Sequence, residues 1–364
     1  MKDATDFLRQ QVTEIPPYEP ILPYHVLSEE LGIPAKELIK LDANENPYGP
    51  IKTVSQAIGS LDTLHIYPDP ESRRIRELLA SYHQISKNQI VLGAGADELI
   101  DLIMRIFFEP GDRLINCPPT FGMYAFDGAL NHAEVIDVPR NSDFSLDIEA
   151  LENTVETMQP KMLFLANPNN PDGGMISEEE FERLVKLPLV LVLDEAYINF
   201  GGEDRSKIRE VQESPHLFVL RSFSKWAGLA GIRIGYGVFP TEIVPTLMKT
   251  KQPYNVAVIA EEAAITSIQN VHELDINSAL IIEGRLKLFN ELRQIPWIQP
   301  YPSEANFILC KVNGITAVEV KEALRKKGIL IRYFDKLGLR DHIRISVGTM
   351  NQIDSLINAM KGIG

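Results

Sequence analysis

Residues 90–117 read IVLGAGADELIDLIMRIFFEPGDRLINC. Three textures succeed one another here. Ile90–Leu92 is a short apolar run. Leu99, Ile100, Leu102, Ile103, Ile106 and Phe107 then recur at the spacing of one helix face. Arg113–Cys117 is short and apolar again. Strand, helix and strand in alternation predict an α/β fold. The pattern extends outward through Glu134–Val138, Met162–Ala166, Leu189–Leu193, Leu217–Leu220 and Ile234–Phe239. Several of these runs are β-branched and apolar on both faces, as in strands covered on both sides. The expectation is a mostly parallel central sheet covered by helices on both faces, its strand order left open.

After about Pro253 the texture changes. Long helical stretches (EEAAITSIQNV, ALIIEGRLKLFNELRQI) precede strand-like NFILCKV, helical AVEVKEALRKKG, strand-like ILIRYF and HIRISVG, and a last helix near QIDSLINAMKGI. Residues 254–364 therefore read as a smaller α+β domain and residues 46–253 as a large α/β domain. Residues 1–45 read as an N-terminal arm, Pro-rich at Pro16, Pro17, Pro20 and Pro23, with part of the small domain. The arm is expected to pack on the small domain or on a partner subunit.

Composition narrows the function. The 364 residues carry 36 Lys plus Arg against 50 Asp plus Glu, a net charge of −14. That balance argues against nucleic acid and against an anionic membrane surface as partners. Cys117 and Cys310 each lie in apolar sequence and read as free buried thiols. The seven histidines show no ligand spacing, so no metal site is expected. No apolar run approaches a membrane span of ~18 residues. The acidic opening MKDATDFLRQ lacks the apolar core of a signal peptide, and the expected location is cytoplasmic.

Ligands of open α/β sheets bind beyond the carboxyl ends of the strands. After the first run come Gly93-Ala94-Gly95-Ala96-Asp97-Glu98 and a helix start, which suits a phosphate. A dinucleotide fingerprint fails because Glu98 stands where the third glycine belongs. After Met162–Ala166 comes Asn167-Pro168-Asn169-Asn170-Pro171-Asp172-Gly173-Gly174, richer than a plain turn needs. After Leu189–Leu193 come Asp194, Glu195, Ala196 and Tyr197, where a buried carboxylate requires a partner. After Leu217–Leu220 come Arg221-Ser222-Phe223-Ser224-Lys225-Trp226, with Arg233 eight residues past the lysine. Trp226 reads as packing. An amine, a carboxylate and phosphate donors at neighbouring strand ends match the demands of pyridoxal phosphate.

On these residues the sequence resembles the fold-type I pyridoxal-phosphate aminotransferases, from about Tyr24 to Ile363. Within that family it is most similar to the histidinol-phosphate branch, through LDANENPYGP, YPDP, GAGADELI, CPPTFGMY, NPNNPDG, DEAYINF, RSFSKWAGLAGIRIGYG and HIRISVG. The resemblance implies pyridoxal 5'-phosphate as cofactor, joined to Lys225, which also shuttles a proton. It implies that Asp194 faces the ring nitrogen, that Asn170 and Tyr197 reach the ring oxygen, and that Phe121 stacks on the ring. Ser222, Ser224, Arg233 and the Gly95-Ala96-Asp97 backbone would hold the cofactor phosphate. Tyr67 would reach it from the other subunit of a homodimer. Arg344, Arg332 and Tyr24 would grip the substrate. Two departures stand out: Asp172 replaces the usual Thr, and Phe121 replaces a common Tyr.

The implied reaction is amino transfer from L-histidinol phosphate to 2-oxoglutarate, in histidine biosynthesis. The nearest alternative is an aromatic amino-acid aminotransferase on the same scaffold. More distant alternatives are a phosphothreonine decarboxylase and a cofactor-binding regulator. The charge and the short N-terminal segment disfavour the regulator.

Overall fold

The computed structural model describes residues 2–9, 12, 13, 15 and 21–363; Pro16, Pro17 and Pro20 of the arm lie outside them. In chain order the strands are β1 (Ile39–Leu41), β2 (Ile90–Gly93), β3 (Arg113–Asn116), β4 (Glu134–Asp137), β5 (Met162–Ala166), β6 (Val190–Asp194), β7 (Leu217–Ser222), β8 (Gly235–Val238), β9 (Ile298–Pro300), β10 (Phe307–Val312), β11 (Ile329–Tyr333) and β12 (His342–Ser346). The seven apolar runs of the first 250 residues all become strands of one sheet, ordered β2-β8-β7-β6-β5-β3-β4. The remaining five strands form a second sheet, ordered β1-β11-β12-β10-β9.

Alternate residues of the large sheet enter different cores. Leu163, Leu165, Leu191, Leu193, Leu217 and Val219 join the core that also takes Phe307, Ile343 and Ile345 of the small sheet. Met162, Phe164, Ala166, Val192, Phe218 and Leu220 point the other way, onto the helices Ala96–Phe107 and Val244–Thr250. Strands β5, β6 and β7 are thus buried on both sides, which is why their sequences are apolar without alternation, whereas the edge strand β4 leaves Glu134 and Asp137 exposed.

Strand β8 departs from the parallel pattern, running antiparallel to both β2 and β7. The connection from β7 carries only a short 3-10 turn (Ala230–Ile232), not a helix that could return the chain across the sheet. Its pairing carries β7 beyond the apolar run, with Arg221 opposite Tyr236 and Ser222 opposite Gly235. Strand β6 likewise extends to Asp194, which pairs with Ala166. Inverting β8 places its first residues at the edge where β2 and β7 end. Arg233, just before β8, therefore reaches the loop after β2.

The segment before residue 46 divides between the two parts. Strand β1 pairs with β11 of the small sheet. Arg9 instead contacts the large part, donating to the Leu130 carbonyl at 3.2 Å and meeting the His132 ring at 2.9 Å. Cys117 and Cys310 are buried and unlinked, and burial pushes the Cys117 thiol up to about 12. No helix among the described residues is long and apolar enough to cross a membrane, and no group of His, Cys, Asp and Glu among them could hold a metal ion.

Candidate active site

A cavity of about 960 Å³ opens between the two sheets, lined among others by Asn44, Phe121, Asn170, Tyr197, Lys225, Arg332 and Arg344. Each comes from a loop or strand end that the topology gathers there. Lys225 follows β7 and is half-buried. Its Nζ donates weakly to the Ala43 carbonyl at 3.4 Å and stands 5.8 Å from the Tyr197 ring centre. A second lysine, Lys336, lines the exposed rim and reaches toward Gly122.

Asp194 ends β6 and is 6% exposed. Among the described residues no cation stands within ion-pair distance of it. Its Oδ2 accepts from the Tyr124 hydroxyl at 2.8 Å and its Oδ1 from the Ala196 N–H at 3.0 Å. Burial pushes its carboxyl up to about 6, against those two donors and nearby Lys225. Glu195, next in the chain, has the structural role: Ser206, the Lys207 N–H and Arg221 all donate to it in the interior.

Asn170 and Tyr197 are tied to the small sheet. Arg344 donates to Asn170 Oδ1 at 2.5 Å and to the Asp42 carbonyl at 2.8 Å. Asn44 donates to the Tyr197 hydroxyl at 3.1 Å while its own N–H donates to Ser346 Oγ at 2.8 Å. Asn44 sits at φ 54, a left-handed conformation that asparagine tolerates better than most residues.

Around the end of β2, Arg233 pairs with Asp97 at 2.8 Å, and both side chains are about half exposed. Such a pair is weak alone, and the guanidinium remains open to an anion. Gly95, at φ 88, lies so close to that guanidinium that any Cβ there would collide with it. A Cβ on Gly235 would strike the Ala96 nitrogen at 2.6 Å. Ser222 and Ser224 are buried beside this cradle, the Ser224 N–H donating to Ser222 Oγ at 3.1 Å.

Other expected site residues lie apart. Tyr67 is 78% exposed and stacks on Tyr254, with ring centres 4.5 Å apart. Tyr24 opens the helix Tyr24–Leu31 and stands outside the cavity lining, although Ile21 belongs to it. Asp172 stays on its turn, accepting from Asn169 and from the Gly174 N–H. Trp226 is buried and stacks on Phe223. The sequence reading passed over Asn44 and Tyr124. The αL-tolerant Asn in LDANENP was a signal for the first, and the i, i+3 spacing from Phe121 for the second.

Residues 36–360 match the family aminotransferase class I and II. The chain belongs to that family. A chloroplastic histidinol-phosphate aminotransferase of Nicotiana plumbaginifolia is 48% identical over 356 residues, 98% of this chain and 86% of that protein. The histidinol-phosphate aminotransferase of Roseiflexus castenholzii is 46% identical over 99% of this chain and 98% of its own. The histidinol-phosphate aminotransferase of Sinorhizobium meliloti, solved with pyridoxal-5'-phosphate, superposes with a TM-score of 0.89 at 26% identity, covering 98% of this chain and 97% of that one. Aminotransferases of this family work through pyridoxal 5'-phosphate, and the site fits it. A buried carboxylate without a cationic partner, an amine inside the cavity and an open guanidinium beside a side-chain-free turn are what the ring nitrogen, the aldehyde and the phosphate require.

Proposed function

We propose that this aminotransferase moves the amino group of L-histidinol phosphate to 2-oxoglutarate, yielding imidazole acetol phosphate and L-glutamate in histidine biosynthesis. The observation that carries the substrate is the placement of Arg332 and Arg344. They are direct cross-strand partners on antiparallel β11 and β12, and both line the cavity. Like charges directly opposite each other destabilise a sheet. A phosphate dianion removes that cost and accepts from both guanidiniums.

When bound, pyridoxal 5'-phosphate supplies an aldehyde for the amine and a ring that accepts the electron pair freed at Cα. Lys225 would anchor the cofactor, take the proton from the substrate's Cα and return it to the carbon on the other side of the substrate nitrogen. Asp194 keeps the ring nitrogen protonated. Asn170 and Tyr197 would hold the ring oxygen, and Phe121 would pack against the ring. Ser222, Ser224, Arg233 and the N–H groups of Gly95, Ala96 and Asp97 hold the cofactor phosphate. Arg344 and Arg332 would orient the substrate anion. In the second half reaction Arg344 takes the carboxylate of the oxo acid.

The test uses the holoenzyme without any oxo acid. Micromolar histidinol phosphate is expected to convert the visible cofactor band to that of the amino form, with L-phenylalanine far weaker. An equal or better response to phenylalanine would make it an aromatic aminotransferase.

A homodimer is part of this reading, supported by exposed apolar side chains. Leu64, Ile66, Tyr67 and Tyr254 are exposed apolar side chains, and Tyr67 completes the phosphate site of a second copy in this reading. Sedimentation equilibrium is expected to give twice the chain mass of 40.9 kDa. A monomer that retains full activity would rule the shared site out. Two buried, unlinked thiols suit a reducing compartment such as the cytoplasm.

A further inference from the structure

We infer that Tyr124 is a positioning residue for Asp194, holding that carboxylate charged and fixed for the cofactor ring. The inference rests on the reading that Asp194 faces the ring nitrogen. Tyr124 lies on the helix Met123–Leu130, one turn beyond Phe121, and has no exposed surface. Its ring is clamped, stacked on Phe164 with centres 5.2 Å apart and edge-on to Phe121 at 5.5 Å. The hydroxyl donates to Asp194 Oδ2 at 2.8 Å. With the Ala196 N–H on Oδ1, both carboxylate oxygens are held by donors.

These donors matter because the surroundings work against the charge. Burial opposes it first, and Asp97 adds a like charge. Asp127, on the same helix as Tyr124, is itself pushed up to about 7 by burial and by Asp101 and Asp97. Among the described residues, nearby Lys225 favours the Asp194 charge. A donor to the charged form lowers a carboxyl pKa. Removing the Tyr124 hydroxyl therefore raises that of Asp194, and the protonated carboxyl no longer holds a proton on the ring nitrogen.

The test is Tyr124→Phe, which keeps the ring and its packing. Its cofactor dissociation constant, measured by titrating the cofactor-free apoprotein with pyridoxal 5'-phosphate from pH 5 to 9, is expected to rise about tenfold to a hundredfold at the acid end, the worth of one hydrogen bond to a charged group. The difference should shrink at high pH, and the acid limb of kcat for the first half reaction should move up. A uniform loss at every pH, as packing damage gives, or no loss, overturns the proposal. Should Tyr124→Phe fail to fold, Tyr124→His, which retains an N–H donor, carries the test. It is expected to keep the acid limb near wild type, and a limb moved up despite the donor overturns the proposal. Asp194→Asn is run in parallel. Unchanged binding and rate there would overturn the reading of Asp194, whereas a damaged Asp194→Asn beside a normal Tyr124→Phe would overturn only the role of Tyr124.

Discussion

Lys225→Ala is expected to lower turnover of histidinol phosphate by about 10⁴-fold or more, because one side chain is both the cofactor's anchor and the proton carrier. Steady-state rates of the purified variant test this directly. Borohydride reduction of the holoenzyme followed by peptide mapping tests the assignment separately, since two lysines line the cavity. Lys336 sits on the exposed rim. Lys225 is half-buried in the cavity, beside the Tyr197 ring. All label is therefore expected on Lys225. Label on Lys336, or an alanine variant with near-normal turnover, would falsify the mechanism.

The second large effect belongs to Arg344. Replacing it with leucine is expected to reduce kcat/KM for histidinol phosphate by about 10²- to 10⁴-fold, as two hydrogen bonds to a charged group are worth about 3–6 kcal/mol together. The oxo-acid half reaction should fall as well, because the same guanidinium serves both substrates. Arg332→Leu should spare the oxo-acid half and damage mainly the phosphate substrate. Rapid-mixing spectroscopy of each half reaction separates the two variants. Equal, small losses in both would mean the phosphate is held elsewhere. Arg344 also bonds Asn170 and the Asp42 carbonyl, so the unfolding midpoint of the variant must be recorded beside its rates.

The elements were legible where two-sided burial left its mark. Met162–Ala166 reads identically in sequence and structure, because every residue of that strand is buried. The ends of β6 and β7 were less legible. Asp194 and Ser222 are polar residues that enter the ladder through pairing with Ala166 and Gly235, partners distant in sequence. The sense of β8 was hidden for the same reason, since an apolar tetrapeptide has no direction. The chemistry was legible because polar residues at buried strand ends are costly and therefore conspicuous. Tyr124 was not, since a tyrosine on an apolar helix face reads as core, and only the position of Asp194 on another element turns its hydroxyl into a partner.

The inverted strand β8 has a bearing on how the chain is made. It lies between β2 and β7, yet it is synthesised after both. A nascent chain that has emerged as far as Lys225 already carries the amine, Asp194 and the turn at Gly95. It has no strand to seat between its neighbours and no Arg233 beside that turn. The pair Arg332 and Arg344 arrives later still. The cradle therefore comes into being only after the strands that flank it, and the vitamin-derived group has somewhere to settle only once β8 is seated between them.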